Sequence, residues 1–258
     1  MRYGICTGLE NLELLEKMGY DYIEVSVTAA MKLEPQALEE YRGKLKASRV
    51  KCEAFNILFP KTMELIGGNT AEKELREYLH KAMALIHSFG AGVAVFGSGR
   101  CRRCPEGLEF KEAYRQLVKV YRTVGDIAAG YGVKVVIEPL SRKETNMICT
   151  MAEGAILEAD VNHPNVGLLS DYFHVRANHD CIEDIKMIGK FGHIHMASGG
   201  RRQYPVSEEG ECYGEFMKAL KDIGYDGRIS IEGKTEDMET DGVRALALLK
   251  ELEGRSYE

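Results

Sequence analysis

The sequence predicts an α/β protein, a (β/α)8 TIM barrel formed as a single domain over residues 1–258. Three observations lead there. Short, β-rich apolar runs alternate with longer amphipathic stretches, and the chain holds eight such runs. Their ends recur about every 32 residues, close to the roughly 30 that one βαβ unit requires. Eight units in about 250 residues is the usual size of a closed barrel of this kind.

The runs expected as the first four strands are Tyr3–Cys6, Tyr22–Ser26, Cys52–Asn56 and Val93–Phe96. The last four are Lys134–Glu138, Val166–Ser170, His193–His195 and Arg228–Glu232. Between them helical periodicity is clearest over 71–89, 110–130 and 213–223. In the second of these, Tyr114, Leu117, Val118, Tyr121 and Val124 follow the spacing of one helix face. Gly19, Gly130 and Gly224 fall just past helical runs, where a left-handed cap is wanted. An open doubly wound sheet is the competing architecture, and its phosphate fingerprint should follow the first strand. Thr7-Gly8-Leu9-Glu10 carries none, and Phe96-Gly-Ser-Gly-Arg100 lacks the third glycine and the following helix start.

Composition removes several functional classes. With 34 basic against 40 acidic side chains the net charge is −6, which argues against a nucleic-acid partner. No apolar run approaches the roughly 18 residues of a membrane span. The start of the chain has no signal-peptide core. Seven cysteines, an odd number, are scattered through apolar stretches and read as reduced thiols of a cytoplasmic protein. Cys101 and Cys104 form a CxxC, but no second pair stands at zinc-ribbon spacing.

In such a barrel the strand C-termini and the loops after them build the active site. Those ends are Glu138, Asp171, His195 and Glu232, on four consecutive strands. A glutamate closing a Val/Ile run is costly when buried unpaired, and four polar ends converging on one mouth point to a metal site. Three carboxylates and one imidazole suit a hard or borderline divalent ion, Mn²⁺ in the first place, with Mg²⁺, Co²⁺ or Zn²⁺ as alternatives.

Several motifs around these ends resemble the xylose isomerase-like TIM barrels, in the sugar-phosphate isomerase/epimerase branch with the D-tagatose 3-epimerases. They are Ile137-Glu-Pro-Leu-Ser-Arg-Lys-Glu-Thr-Asn146, Leu168-Leu-Ser-Asp-Tyr-Phe-His174, His193-Ile-His-Met-Ala197 and Gly224-Tyr-Asp-Gly-Arg-Ile-Ser-Ile-Glu232. Phe96-Gly-Ser-Gly-Arg100 with Pro105-Glu-Gly107, and Glu53-Ala-Phe-Asn56, extend the resemblance into the N-terminal half. It implies that Glu138, Asp171, His195 and Glu232 bind one divalent metal per chain. It implies further that Glu138 and Glu232 face opposite sides of the substrate carbon and shuttle a proton. Glu144, His174 and Arg201 match substrate-binding positions. One departure is that the chain has no tryptophan, which the free-ketose epimerases of that branch usually place in the sugar pocket.

The expected activity is that of a metal-dependent isomerase or epimerase of a small hydroxy-ketone: a ketose, a ketose derivative or a sugar phosphate. A proton alpha to a ketone becomes acidic enough for a carboxylate only when a Lewis acid stabilises the enediolate. Return of the proton to the other face of the same carbon epimerises; return to the neighbouring carbon isomerises. Alternatives on the same barrel are a keto-inositol dehydratase, an abasic-site endonuclease and a non-catalytic binding module. The expected partner is a sugar-like small molecule, not a membrane, and a homo-oligomer stays open. Elsewhere, His193 is expected as a support for His195 or a core histidine, and Glu24 as an interior partner of Arg2 or an equivalent group. Arg142 and Arg202 are expected to be solvated or ion-paired, with a phosphorylated substrate implied should either face the mouth. Cys6 and Asn56 end strands at the mouth and are candidates for substrate contact.

Overall fold

A computed structural model describes residues 1–68 and 70–255 of the chain. Eight strands close a parallel barrel in sequence order: β1 (Arg2–Cys6), β2 (Tyr22–Ser26), β3 (Lys51–Asn56), β4 (Val93–Phe96), β5 (Lys134–Ile137), β6 (Val166–Asp171), β7 (His193–Met196) and β8 (Arg228–Ile231). The barrel shuts where β8 pairs with β1, from Arg2 beside Arg228 to Ile5 beside Ile231.

Helices cover the outside: α1 (Leu12–Met18), α2 (Val27–Ala30), α3 (Pro35–Ala47), α4 (Glu72–Ser88), α5 (Phe110–Ala129), α6 (Met151–Val161), α7 (Tyr172–Ala177), α8 (Asp184–Ile188), α9 (Tyr213–Asp222) and α10 (Met238–Gly254). Among the described residues no helix is long and apolar enough to cross a membrane. The three helical stretches expected from periodicity appear as α4, α5 and α9. Gly19 and Gly224 take positive φ as caps, at 91° and 68°. Gly130 does not: its φ is −64°, and the left-handed residue comes two later, at Gly132. The chain there turns one step further before β5 begins, so the nearest glycine to the helix is not the one that reverses it.

The pleat decides what faces the barrel axis, because side chains alternate along a strand. Tyr22, Ala54, Val93, Val95, Val136 and Leu169 form a buried cluster of their own, separate from the larger core between sheet and helices. Gly4 makes room for it, since a Cβ there would lie 2.4 Å from the Tyr22 ring. Two residues beyond each inward position, the same face continues as Asn56 after Ala54, Gly97 after Val95, Glu138 after Val136 and Asp171 after Leu169. On β7 and β8 the inward pairs are His193 with His195 and Ser230 with Glu232. Apolar filling thus gives way to polar groups as the strands approach their C-terminal ends. At the opposite end Arg2 and Arg228 both bond Glu53, at a register shift between β2 and β3. Arg2 is therefore not the partner of Glu24; it spends its guanidinium on Glu53, at the start of the barrel.

Candidate metal centre

Glu138, Asp171, His195 and Glu232 converge: each contributes one donor atom, and the four atoms lie within 4.8 Å of one another. His195 Nδ1 is 3.2 Å from Glu232 Oε2 and 3.4 Å from Glu138 Oε1. Asp171 also caps α7, its Oδ1 accepting the Phe173 N–H at 2.8 Å, which leaves Oδ2 for the cluster. Glu232 Oε1 accepts from Asn56 Nδ2 at 3.0 Å. Glu138 fits only because position 97 is glycine: a Cβ on Gly97 would stand 1.9 Å from Glu138 Oε2.

Glu138 and Glu232 of the cluster line a cavity of about 530 Å³, whose walls also include Asn56, Phe59, Ser98, Leu140, Glu144 and Arg202. A larger groove of about 780 Å³ lies between α6 and α8, on the flank of the barrel and away from these donors.

Electrostatics separate the four groups. Burial raises Glu138, and the charge of Glu232 adds to the shift. Burial pushes Asp171 up to about 6 against the pull of Arg202. Burial opposes ionisation of Glu232 too, but His195 and Arg202 hold it at about 2. For His195, the carboxylates of Glu24 and Glu232 overcome burial and raise it well above the usual imidazole range. Ionising so many carboxylates together without a cation would carry a large desolvation cost.

The other expected residues divide. His174, on the first turn of α7, is buried, and burial lowers its pKa. Its Nδ1 accepts from the Ser141 N–H at 3.0 Å. Its Nε2 makes no hydrogen bond and points into the cluster, 3.5 Å from Asp171 Oδ2. Glu144 accepts from Ser141 Oγ and stands 3.6 Å from Arg202 at the cavity wall. Arg201 is exposed and off the cavity wall, whereas Arg202 lines it. Arg202 bonds Glu232, lies 3.3 Å from Asp171 Oδ2, and rests 4.8 Å above the Phe173 ring. Its φ of +53° turns it inward, a twist that no spacing rule reveals. Arg142 stays on the surface with Glu153 at 3.8 Å. Cys6 Sγ is 4.0 Å from His195 Nε2. Cys101 and Cys104 are both free thiols.

Sequence reasoning placed Glu24 inside the barrel and missed its partners. It accepts from His193 Nε2 at 2.7 Å and from His195 Nε2 at 3.1 Å. Three polar residues at inward positions of β2 and β7 were the available signal.

A family model described as xylose isomerase-like TIM barrel matches residues 12–252. The chain belongs to this family. Within the xylose isomerase-like family, an inosose isomerase of Halalkalibacterium halodurans is 27% identical over 252 residues, covering 89% of this chain and 86% of the relative. A D-psicose 3-epimerase of Agrobacterium fabrum is 26% identical over 230 residues, covering 86% and 77%. Among solved structures, a D-psicose 3-epimerase crystallised in the presence of D-fructose superposes with a TM-score of 0.87 at 21% identity, over 99% of this chain and 100% of that one. An IolI protein with a bound zinc atom superposes at 0.79 and 23% identity, over the whole of both chains.

Proposed function

We propose that the protein is a divalent-metal-dependent isomerase or epimerase of a small hydroxy-ketone, with Glu138 and Glu232 as its acid and base. The observation that carries the reading is the convergence of three carboxylates and one imidazole within 4.8 Å, with two of the carboxylates, Glu138 and Glu232, lining an open cavity. The names of the relatives support an enzyme, and they favour isomerisation or epimerisation over dehydration of a keto-inositol.

The residues fit a divalent cation. Glu138, Asp171, Glu232 and His195 Nδ1 would hold it, a donor set matched to a hard or borderline ion. Two buried acids and the partly buried Glu232, drawn this close, favour a bound cation in addition to Arg202. His174 Nδ1 accepts from the Ser141 N–H, so its unbonded Nε2 carries a proton and offers a donor to a substrate oxygen. When bound, the ion would act as a Lewis acid toward the substrate's oxygens and stabilise the charge that develops there.

The chain's own groups supply the proton transfer. Glu232, kept ionised, takes the proton alpha to the carbonyl. Glu138, on the other side of that carbon, returns one. Glu144, His174 and Arg202 are placed to bind substrate hydroxyls, and Phe59 with Leu140 gives the cavity an apolar wall. The same pair serves epimerisation or isomerisation, depending on which carbon receives the proton.

The test is a panel of D-psicose, D-fructose, L-ribulose, ketose phosphates and inososes. It is run with chelator-stripped protein and with protein reconstituted with Mn²⁺. An epimer or isomer should form only after reconstitution. No conversion anywhere in the panel, together with no uptake of metal, would overturn the reading.

A further inference from the structure

The proposed reaction leaves the buried charge of Glu24 without a task. Glu24 is 0% exposed, on the inner face of β2. Its Oε1 accepts from His195 Nε2 at 3.1 Å, and its Oε2 from His193 Nε2 at 2.7 Å and Ser230 Oγ at 2.5 Å. The Tyr22 hydroxyl lies 2.7 Å from Ser230 Oγ and completes the chain. An ionised carboxylate can only accept, so each of the three partners must donate. That places a proton on Nε2 of both rings. The His193 ring agrees: its Nδ1 is buried and has no hydrogen-bond partner, as expected for the bare lone pair of a neutral ring protonated at Nε2.

For His195 the consequence reaches the candidate metal centre. Its Nδ1 points the other way, into the space shared with Glu138 and Glu232. The opposite tautomer would aim an N–H at the ligand cluster and press a lone pair against the Glu24 carboxylate. We infer that Glu24 is a positioning residue, which holds His195 in its Nε2–H tautomer and in one ring orientation so that Nδ1 is the metal-ligating atom. The inference rests on the metal-dependent reading above. A carboxylate behind a ligating imidazole also makes the ring a better donor, and loss of such a partner weakens metal binding by about 10–100-fold. Cys6, 4.0 Å from the same Nε2, is thereby left outside the ligand set.

The test uses the full chain labelled with ¹⁵N-histidine and loaded with Zn²⁺, which is diamagnetic. Long-range ¹H–¹⁵N spectra should show His195 protonated at Nε2 and zinc-bound at Nδ1. In Glu24→Gln one side-chain oxygen remains to serve two rings, so the His195 tautomers should mix. Calorimetric affinity for Mn²⁺ should fall by about 10–100-fold in protein that is folded by circular dichroism. Zinc on Nε2 of His195 would overturn the inference, as would a folded Glu24→Gln with wild-type affinity and tautomer. If that variant does not fold, the wild-type spectrum alone decides. Wild-type protein that takes up neither ion overturns the functional reading and this inference with it. Uptake with the wrong tautomer overturns this inference alone.

Discussion

Replacing Gly97 by alanine tests the geometry of Glu138 without touching any ionisable group. The added Cβ would lie 1.9 Å from Glu138 Oε2 and 3.0 Å from its Cδ. Non-bonded carbon and oxygen need about 3 Å or more, so the carboxylate must withdraw by roughly 1 Å. A displacement of that size at a reacting group costs on the order of 10²-fold in rate, about 3 kcal/mol of barrier. The obstructing atom is the end of a side chain, not backbone, so the fold should absorb the change within about 1 kcal/mol. Gly92→Ala is the control, because a Cβ there meets nothing within 4 Å. The assay is kcat and KM for an accepted ketose, with thermal melting on the same samples. Gly97→Ala should lose about 100-fold in kcat with a nearly unchanged Tm, and Gly92→Ala should match wild type. Full activity in Gly97→Ala would refute the placement of Glu138 at the reacting carbon.

Other outcomes follow from the same site. Glu138→Gln and Glu232→Gln should each lower turnover by at least about 10²-fold while circular dichroism stays that of wild type; near-normal rate in either would mean a different acid or base. Asp171, raised to about 6, binds a proton in the folded chain that an ordinary carboxylate would have lost. The stability it contributes is full below the ordinary value of 3.8 and disappears as pH rises through about 6. A cation needs the ionised form, so Mn²⁺ affinity should strengthen between pH 5 and 7 with release of protons, by up to about tenfold per unit for each proton displaced. Calorimetry in two buffers of different ionisation enthalpy reads this, and a pH-independent affinity would contradict it. Arg202→Ala should raise KM at least about tenfold through lost charge-assisted bonds, and Arg201→Ala should change it little. The reverse pattern would return the substrate contact to Arg201.

The cluster of Glu138, Asp171, His195 and Glu232 was legible because each member interrupts an apolar strand run at its C-terminal end, and a parallel barrel gathers such ends at one mouth. The long helices were legible from their one-sided periodicity. Other features depend on distances that only closure of the barrel creates. Glu24 meets His193 and His195 across the interior, at sequence separations of 169 and 171. The choice between Arg201 and Arg202 turns on a single left-handed residue in an irregular loop. Gly97 belongs to a glycine-rich stretch that resembles half of a phosphate loop. Its use is instead to leave room for the Glu138 carboxylate arriving from the next strand. The short helices α7 and α8 hold too few residues for periodicity to show.

Proton transfer between Glu138 and Glu232 is tested most directly by turnover of an accepted ketose in D₂O with the Mn²⁺-loaded protein, followed by NMR of the product. The carboxylate that takes the proton opens onto a solvent-linked cavity, so its proton should exchange between turnovers. The product should carry solvent deuterium on the carbon alpha to the carbonyl: carbon 3 for epimerisation, carbon 1 or 2 for isomerisation to an aldose. Product formed without any deuterium on carbon would contradict proton transfer by the two glutamates and indicate a hydride shift.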